Sequence, residues 1–430
     1  MSLHSVSTVA MPSEAKERAC TADESNLLRS FLQKARELAL QPSAHGSDLG
    51  SLHVVMGNEA CDLDSVACAI CYALFVHTTR GDKTCVPYLN IPREELPLRQ
   101  EVLHVLSRAG IDPAVLLFKD DLDLQRLVTA KSDADKHAKA NLTLTLVDHN
   151  RLASTQEDLA PYVIGIIDHH ADEKLYAATT TALRVIQPVG SASTLVAQRI
   201  HMEAPALLKR ADVATLLLAA ILLDTGNMDP ALRKGTATDA NVIRLLTPVC
   251  FPGVSTSADS ESRAVATWYR ELLRLRTDTS LLNTAQLLLK DVKYTVHADK
   301  IRFAISSVPL SLNQWIAQDE ANFLPHIRTF IGAKNLSFLV IMTTFTDDDQ
   351  LLHRELMVIA TSEAMLRAVT HSLLKEDREL RLEGRSLQLV ERLAEYERVH
   401  KDAGLQFAIY DQLDVSKSRK QVLPAILHSL

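Results

Sequence analysis

Four short stretches of this sequence end an apolar run in residues that bind metal ions or move protons. They are GNEACDLDS (57–65), VDHN (147–150), IDHH (167–170) and LLDTGNM (222–228). Carboxylates mixed with imidazoles suit Mg, Mn, Co or Zn rather than a soft-metal site. One acid at the end of one element is usually a helix cap or a turn. Four such endings are harder to dismiss, because clustered carboxylates repel one another unless cations or hydrogen bonds compensate them. Asp62 and Asp64 are two apart, so in an extended loop they point the same way and each can serve one of two adjacent cations. Asp148 or Asp224 then qualifies as a bridge. His149 follows Asp148. His169 and His170 diverge at a strand end, one placed to ligate and the other to reach a substrate. Two neighbouring cations clamp a phosphoryl group and activate water at neutral pH, so phosphoryl chemistry is the expectation.

The opposite sign comes from the far end of the chain. KSRKQVLPAI (417–426) sets Lys417, Arg419 and Lys420 directly before an apolar segment. An isolated basic cluster is ordinarily a solvated face. Paired with an acidic metal site it becomes a candidate phosphate clamp, since Arg takes two phosphate oxygens at once and Lys acts as a point charge. Lys293, in LLLKDVKYTV, is a weaker candidate of the same type.

The elements that must position these residues follow from the pattern. LHVVMG (52–57), LTLTLVD (142–148) and YVIGIID (162–168) read as buried strands. SVACAICYALFVHTT (65–79) and VATLLLAAILLDTG (213–226) read as buried helices, the second running into Asp224. Continuous apolar strands alternating with helices predict an α/β fold with a mainly parallel sheet covered on both faces. Ligands belong beyond the carboxyl ends of such strands, so all four endings are expected on one edge of one sheet. The expected division is an extension at 1–50 with one amphipathic helix (LLRSFLQKARELAL), a metal-binding domain at 51–250, a linker helix at 251–283, and a second α/β domain at 284–430. In the last, IRFAISSVPL, LSFLVIMTTF and ELMVIAT read as strands, and DDD at 347–349 as a hairpin turn.

Bulk properties narrow the function. A length of 430 residues suits two domains, and 47% hydrophobic residues suit a packed chain. A net charge of −7 disfavours a general nucleic-acid binder. No apolar run reaches the roughly 18 residues a membrane span needs. The N-terminus has no basic start followed by a long apolar core, so no secretory signal is read. Six cysteines show no framework spacing, and Cys68 and Cys71 read as small residues on a buried helix face. The cytosol is the expected compartment, with an acidic phosphate-storing organelle as the alternative. Oligomeric state is not legible.

In this order and at this spacing, the four stretches resemble the four motifs of the DHH phosphoesterase superfamily. SRKQVLP resembles the signature of the DHHA2 domain shared by family II inorganic pyrophosphatases and exopolyphosphatases. VGSASTLV (189–196) and VPYLNIPREELPLRQEVLHVL (86–106) look like the eukaryotic exopolyphosphatase branch, of the yeast cytosolic type. The resemblance covers roughly residues 51–430. It implies a DHH domain and a smaller DHHA2 domain, with the active site in the cleft between them. It implies hydrolysis of a phosphoanhydride bond by water activated on two divalent metals, commonly Mg2+ or Mn2+. Asp62, Asp64, Asp148, His169 and Asp224 would be the ligands. His170, Lys293, Arg419 and Lys420 would hold phosphate oxygens, and Asp148 or a hydroxide network would take the proton.

One departure helps to place the chain. Family II pyrophosphatases have a histidine ligand where Asn58 stands here. A neutral amide oxygen is a poorer ligand than imidazole, so one metal is expected to be held more loosely, with Mg favoured. The Asn-type motif is shared by exopolyphosphatases and Prune proteins. Prune-like proteins tend to carry DHR in the third motif, whereas His170 is intact here. The reading is an exopolyphosphatase releasing terminal orthophosphate from linear polyphosphate. An inorganic pyrophosphatase, a Prune-like cyclic nucleotide phosphodiesterase and a non-catalytic scaffold are the alternatives.

Overall fold

The structure is a computed structural model. It describes residues 27–41, 52–81, 84–128, 142–180, 183–254, 258–297, 301–347, 349, 351–375, 380–384 and 404–427. The chain divides into two units, Met1–Thr277 and Asp278–Leu430. The residues before Leu27, part of the expected extension, lie outside the described residues.

The first unit is built on six parallel strands: β1 (Leu52–Met56), β2 (Cys85–Leu89), β3 (Leu117–Phe118), β4 (Leu142–Val147), β5 (Val163–Asp168) and β6 (Leu183–Ile186). Their order is β3-β2-β1-β4-β5-β6. The chain therefore winds one way from β1 through β3 and the other way from β4 through β6. The switch falls between β1 and β4, where open parallel sheets place their ligands. Met56 pairs with Leu146 across that switch, so Gly57 leaves the sheet beside Val147, the last residue of β4.

Two helices that are apolar all round lie buried beside the sheet, as helices of that kind must. They are α2 (Leu63–Arg80) and α5 (Ala211–Thr225); α1 (Leu27–Leu40) precedes β1. Gly81 and Gly226 end them, each in the left-handed region at φ 62, which a glycine adopts without a Cβ penalty. Between them in sequence lie α3 (Gln100–Arg108) and α4 (Ala192–Glu203). After them come α6 (Ala237–Cys250) and α7 (Ala258–Thr277). Helix α1 is amphipathic and buries Leu28, Phe31, Leu32, Ala35 and Ala39 in the same core.

Strand β2 was not legible in the pattern. Its sequence, CVPYL, is fully buried yet carries Pro87, which lacks a ladder donor. Pro87 pairs with Val55 of β1 on one side, while β3 pairs only with Tyr88 and Leu89 on the other. The proline thus sits beside an open stretch of sheet. Cys68 and Cys71 are fully buried and unpaired, as the small-residue reading has it.

The second unit holds β7 (Val292–Val296), β8 (Arg302–Val308), β9 (Phe338–Thr343), β10 (Phe345–Thr346), β11 (Leu352–His353), β12 (Glu355–Ala360), β13 (Leu382–Gly384) and β14 (Gln406–Gln412). Six of these form a mixed sheet in the order β13-β14-β12-β9-β8-β7. Only β8 and β9 run parallel; the other pairs are antiparallel. Each face carries its own apolar core, one around Trp315 and Phe323, the other around Phe303 and Phe338. Strands β10 and β11 form a separate hairpin, in whose connection the Asp347 carboxylate accepts from the N–H groups of Asp349 and Leu351. Among the described residues, no helix is long and apolar enough to cross a membrane.

Candidate metal centre

Three of the four sequence endings leave the sheet side by side at the switch. The fourth comes from the apolar helix expected to run into it. Asp224 lies in the last turn of helix α5, not at a strand end, so a helix and not the sheet edge carries it. Asp62 and Asp64 also differ from the extended-loop reading. Asp62 is the N-cap of α2, its carboxylate accepting from Ser65 N at 3.1 Å, and Asp64 lies in the first helical turn. Gly57 makes this close passage of loop and helix feasible, since a Cβ there would lie 2.7 Å from Ser65 Cβ.

Asp148 is the hub. It is only 2% exposed and holds a left-handed backbone at φ 61, a conformation that costs energy in a residue with a Cβ and tends to mark functional positions. Its N–H donates to Ile167 O at 2.9 Å, which ties the end of β4 to that of β5. Oδ2 accepts from Ser65 Oγ at 2.7 Å and from Asn58 Nδ2 at 2.9 Å. Oδ1 faces the imidazoles: His169 Nε2 is 3.4 Å away and His170 Nδ1 is 3.9 Å away. Asp148, His169 and His170 offer ligand atoms that all lie within 4.8 Å of one another. Asp64 Oδ2 approaches His169 Nε2 to 3.9 Å.

The histidines are oriented from behind. His169 Nδ1 is 3.1 Å from Val189 O, leaving Nε2 toward the carboxylates. A ligating histidine characteristically uses its second nitrogen in this way. His170 Nδ1 is 2.8 Å from Asp168 Oδ1, which leaves Nε2 as the outward nitrogen of a half-exposed ring. His149 is outside the group. Its Nδ1 is bound to Val147 O at 2.9 Å, and burial pushes its proton affinity down.

The electrostatics ask for a cation. Burial and the neighbouring Asp64 push Asp148 up to about 7. Burial, then Asp64, raise Asp62, with Arg276 and Arg99 partly offsetting them. Asp224 is raised well above the usual carboxylate range by burial and by Asp64 and Asp62. Burial opposes protonation of His169, but Asp148 and Asp64 overcome it and raise the imidazole to about 10. Asp224 Oδ2 is buried and has no hydrogen-bond partner among the described residues. The donor set of four carboxylates and an imidazole fits hard or borderline divalent cations.

Several supporting contacts were not singled out by sequence reasoning. Asp64 Oδ1 accepts from Ser193 N at 2.8 Å and Ser193 Oγ at 2.6 Å, and Oδ2 accepts from Ala192 N at 2.7 Å. The N-terminus of α4 thus receives a carboxylate, as helix N-termini do. Asp168, fully buried, accepts from His169 N, His170 N and Asn150 Nδ2. Burial alone would raise Asp168; the bonds from His170 and Asn150 bring it below its ordinary value. The Asn of VDHN, the Asp of IDHH and the second Ser of VGSAS were the available signals.

Asn58 organises its own loop. Its Oδ1 accepts from Ala60 N at 2.9 Å and Cys61 N at 3.1 Å, while Nδ2 also donates to Asp148 O at 3.1 Å. Its one ligand-capable atom is therefore already engaged. In the second unit, Arg419 opens helix α12 (Arg419–Leu427; helices α8–α11 are Thr284–Lys290, Leu312–Gln318, Phe323–Ala333 and Glu363–Lys375). Its guanidinium donates to Asp291 Oδ1 at 2.7 Å and Asp291 O at 3.0 Å. Lys293 is exposed on edge strand β7, and Lys420 follows Arg419 in the helix.

A doubly wound parallel sheet bearing this acid-and-imidazole cluster, followed by a mixed-sheet unit, is matched by two family models. The model for the DHH family, N-terminal domain, covers residues 53–221, and that for the DHHA2 domain covers residues 270–429. The chain belongs to the DHH/DHHA2 phosphoesterases. Human "Exopolyphosphatase PRUNE1" is 31% identical over 404 residues, spanning 94% of this chain and 79% of that protein. The Schizosaccharomyces pombe protein named "Putative exopolyphosphatase" is 28% identical over 429 residues, spanning 93% of this chain and 97% of its own. A Streptococcus agalactiae protein named "Probable manganese-dependent inorganic pyrophosphatase" is 24% identical over 294 residues, spanning 68% and 81%.

Proposed function

We propose that this phosphoesterase is a metal-dependent exopolyphosphatase that releases terminal orthophosphate from linear polyphosphate. The observation that carries the reading is the convergence of Asp64, Asp148, His169 and His170 at the β1/β4 switch, with a buried, unpartnered Asp224 oxygen. Asp62, Asp64, Asp148, His169 and Asp224 would hold two divalent cations, Mg2+ or Mn2+. Bound there, such cations supply positive charge to phosphoryl oxygens and lower the pKa of a coordinated water.

The protein's own groups do the rest. Asp168 fixes the ring of His170 so that Nε2 is presented to a phosphoryl oxygen, where it stabilises charge or gives a proton to the leaving phosphate. Asn58 and Ser65 hold Asp148 Oδ2 and so aim Oδ1. Arg419, Lys420 and Lys293 are the proposed contacts to phosphate oxygens, and charge neutralisation is most of what phosphoryl transfer requires. The relatives named as exopolyphosphatases support polyphosphate as substrate.

An inorganic pyrophosphatase is the second reading, favoured by the manganese-dependent relative. Against it stands Asn58, whose oxygen is engaged by the loop where those enzymes have a histidine ligand. A time course of products from a defined polyphosphate, with pyrophosphate and a cyclic nucleotide in parallel, separates the readings. Orthophosphate appearing from chain ends is the expected result. Pyrophosphate as clearly the best substrate would overturn it.

A further inference from the structure

The loop that delivers Asp62 and Asp64 leaves the sheet at Gly57, and its turn is exposed at Glu59 and Ala60. Cys61 holds a left-handed backbone at φ 46 although it carries a side chain. Such a conformation persists where surrounding groups over-determine it. From inside, Asn58 Oδ1 binds the N–H groups of Ala60 and Cys61. From outside, the Ala60 carbonyl is held by one guanidinium: Arg99 Nε donates to it at 2.7 Å and Nη2 donates to the same oxygen. Arg99 Nη1 donates to Glu95 O at 3.0 Å. The arginine is itself fixed, because it joins the 3-10 turn Arg93–Leu98 to α3 and its carbonyl accepts from Val102 N and Leu103 N.

We propose that Arg99 is a positioning residue for the metal centre: its fork pins the Ala60 carbonyl, holds Cys61 in its strained conformation, and thereby aims the carboxylates of Asp62 and Asp64. Three donors act at fixed angles on two carbonyls, which a lysine ammonium cannot reproduce. The same guanidinium places a positive charge near Asp62, in a site otherwise dominated by negative charge. Its removal loosens the loop and costs metal affinity, with no contact to the reacting atoms required.

This inference rests on the metal-binding reading, and its test separates the two. Mn2+ is titrated by calorimetry into the full-length chain, its Arg99→Gln variant and its Arg99→Lys variant, with circular dichroism confirming the fold. The parent binds Mn2+. Arg99→Gln weakens binding about 10- to 100-fold, the range found for outer-shell partners of metal ligands. Arg99→Lys keeps the charge, loses the fork, and remains clearly weaker than the parent. If the glutamine variant does not fold, the lysine variant decides alone. Parent-like affinity in the lysine variant, or lowered thermal stability with unchanged affinity in either, overturns the positioning role. A parent that takes up no Mn2+ sinks the metal reading and this inference with it.

Discussion

Replacing Asp224 with asparagine is expected to stabilise the protein without metal and to destabilise it, relative to the parent, with metal. Asp224 Oδ2 is buried with no hydrogen-bond partner among the described residues. Leaving a buried polar group unsatisfied costs about 1–3 kcal/mol. Repulsion from Asp64, Asp62 and Asp148 acts in the same direction. Asparagine keeps the shape, removes the charge and adds an N–H donor facing carboxylates. The Asp224→Asn variant is thus expected to gain about 1–2 kcal/mol in EDTA, with roughly 2–4 °C in melting temperature for each kcal/mol. At Mn2+ near 100 times its dissociation constant, the parent gains about 2.7 kcal/mol through linkage. The variant has lost a ligand and gains little, so the order of the two melting temperatures inverts between EDTA and Mn2+. Differential scanning calorimetry of both proteins under both conditions reads this directly. A variant less stable than its parent in EDTA, or an equal Mn2+-induced rise in both, would refute the reasoning.

The metal-free protein should lose stability as pH rises. Asp148 is raised from 3.8 to about 7 and His169 from 6.5 to about 10, so the folded state binds more protons than the unfolded state across those windows. Urea midpoints in EDTA should fall between about pH 4 and 10, and a rising profile would contradict the assignment. Ser193→Ala removes the 2.6 Å hydroxyl bond to Asp64 and is expected to weaken Mn2+ binding about tenfold with the fold intact; unchanged affinity by calorimetry would remove Ser193 from the support of the site. Arg419→Ala should reduce turnover far more than Mn2+ affinity. It should cost at most about 1 kcal/mol of stability, because its partner Asp291 is half exposed; lost metal with a retained rate would contradict the phosphate role.

The ligand-bearing ends of β1, β4 and β5 were legible because each is an abrupt change of chemistry. LHVVM, LTLTLV and VIGII are apolar runs with no reason to stop at Asp or His unless those residues are used. Helix α5 was legible for the same reason, although a one-dimensional pattern assigned its acid to the sheet edge along with the others. Strand β2 was hidden by Pro87, whose tolerance depends on how far β3 extends beside it. The role of Asn58 was hidden as well. Residue type says that an amide oxygen ligates poorly, but not that the N–H groups of Ala60 and Cys61 already occupy it.

By itself, then, the chain's order of residues determined the candidate ligands, the α/β layering and the family, since these depend on residue type and on periodicity along the chain. The tertiary structure alone decided that Asp148 engages Oδ2 with Ser65 and Asn58 and turns Oδ1 to the imidazoles. It also decided that α4 receives Asp64, that Asp168 orients His170, and that Arg99 grips a carbonyl 39 positions away. Such bonds join groups far apart in sequence through distances and angles, and neither is written in residue type or spacing.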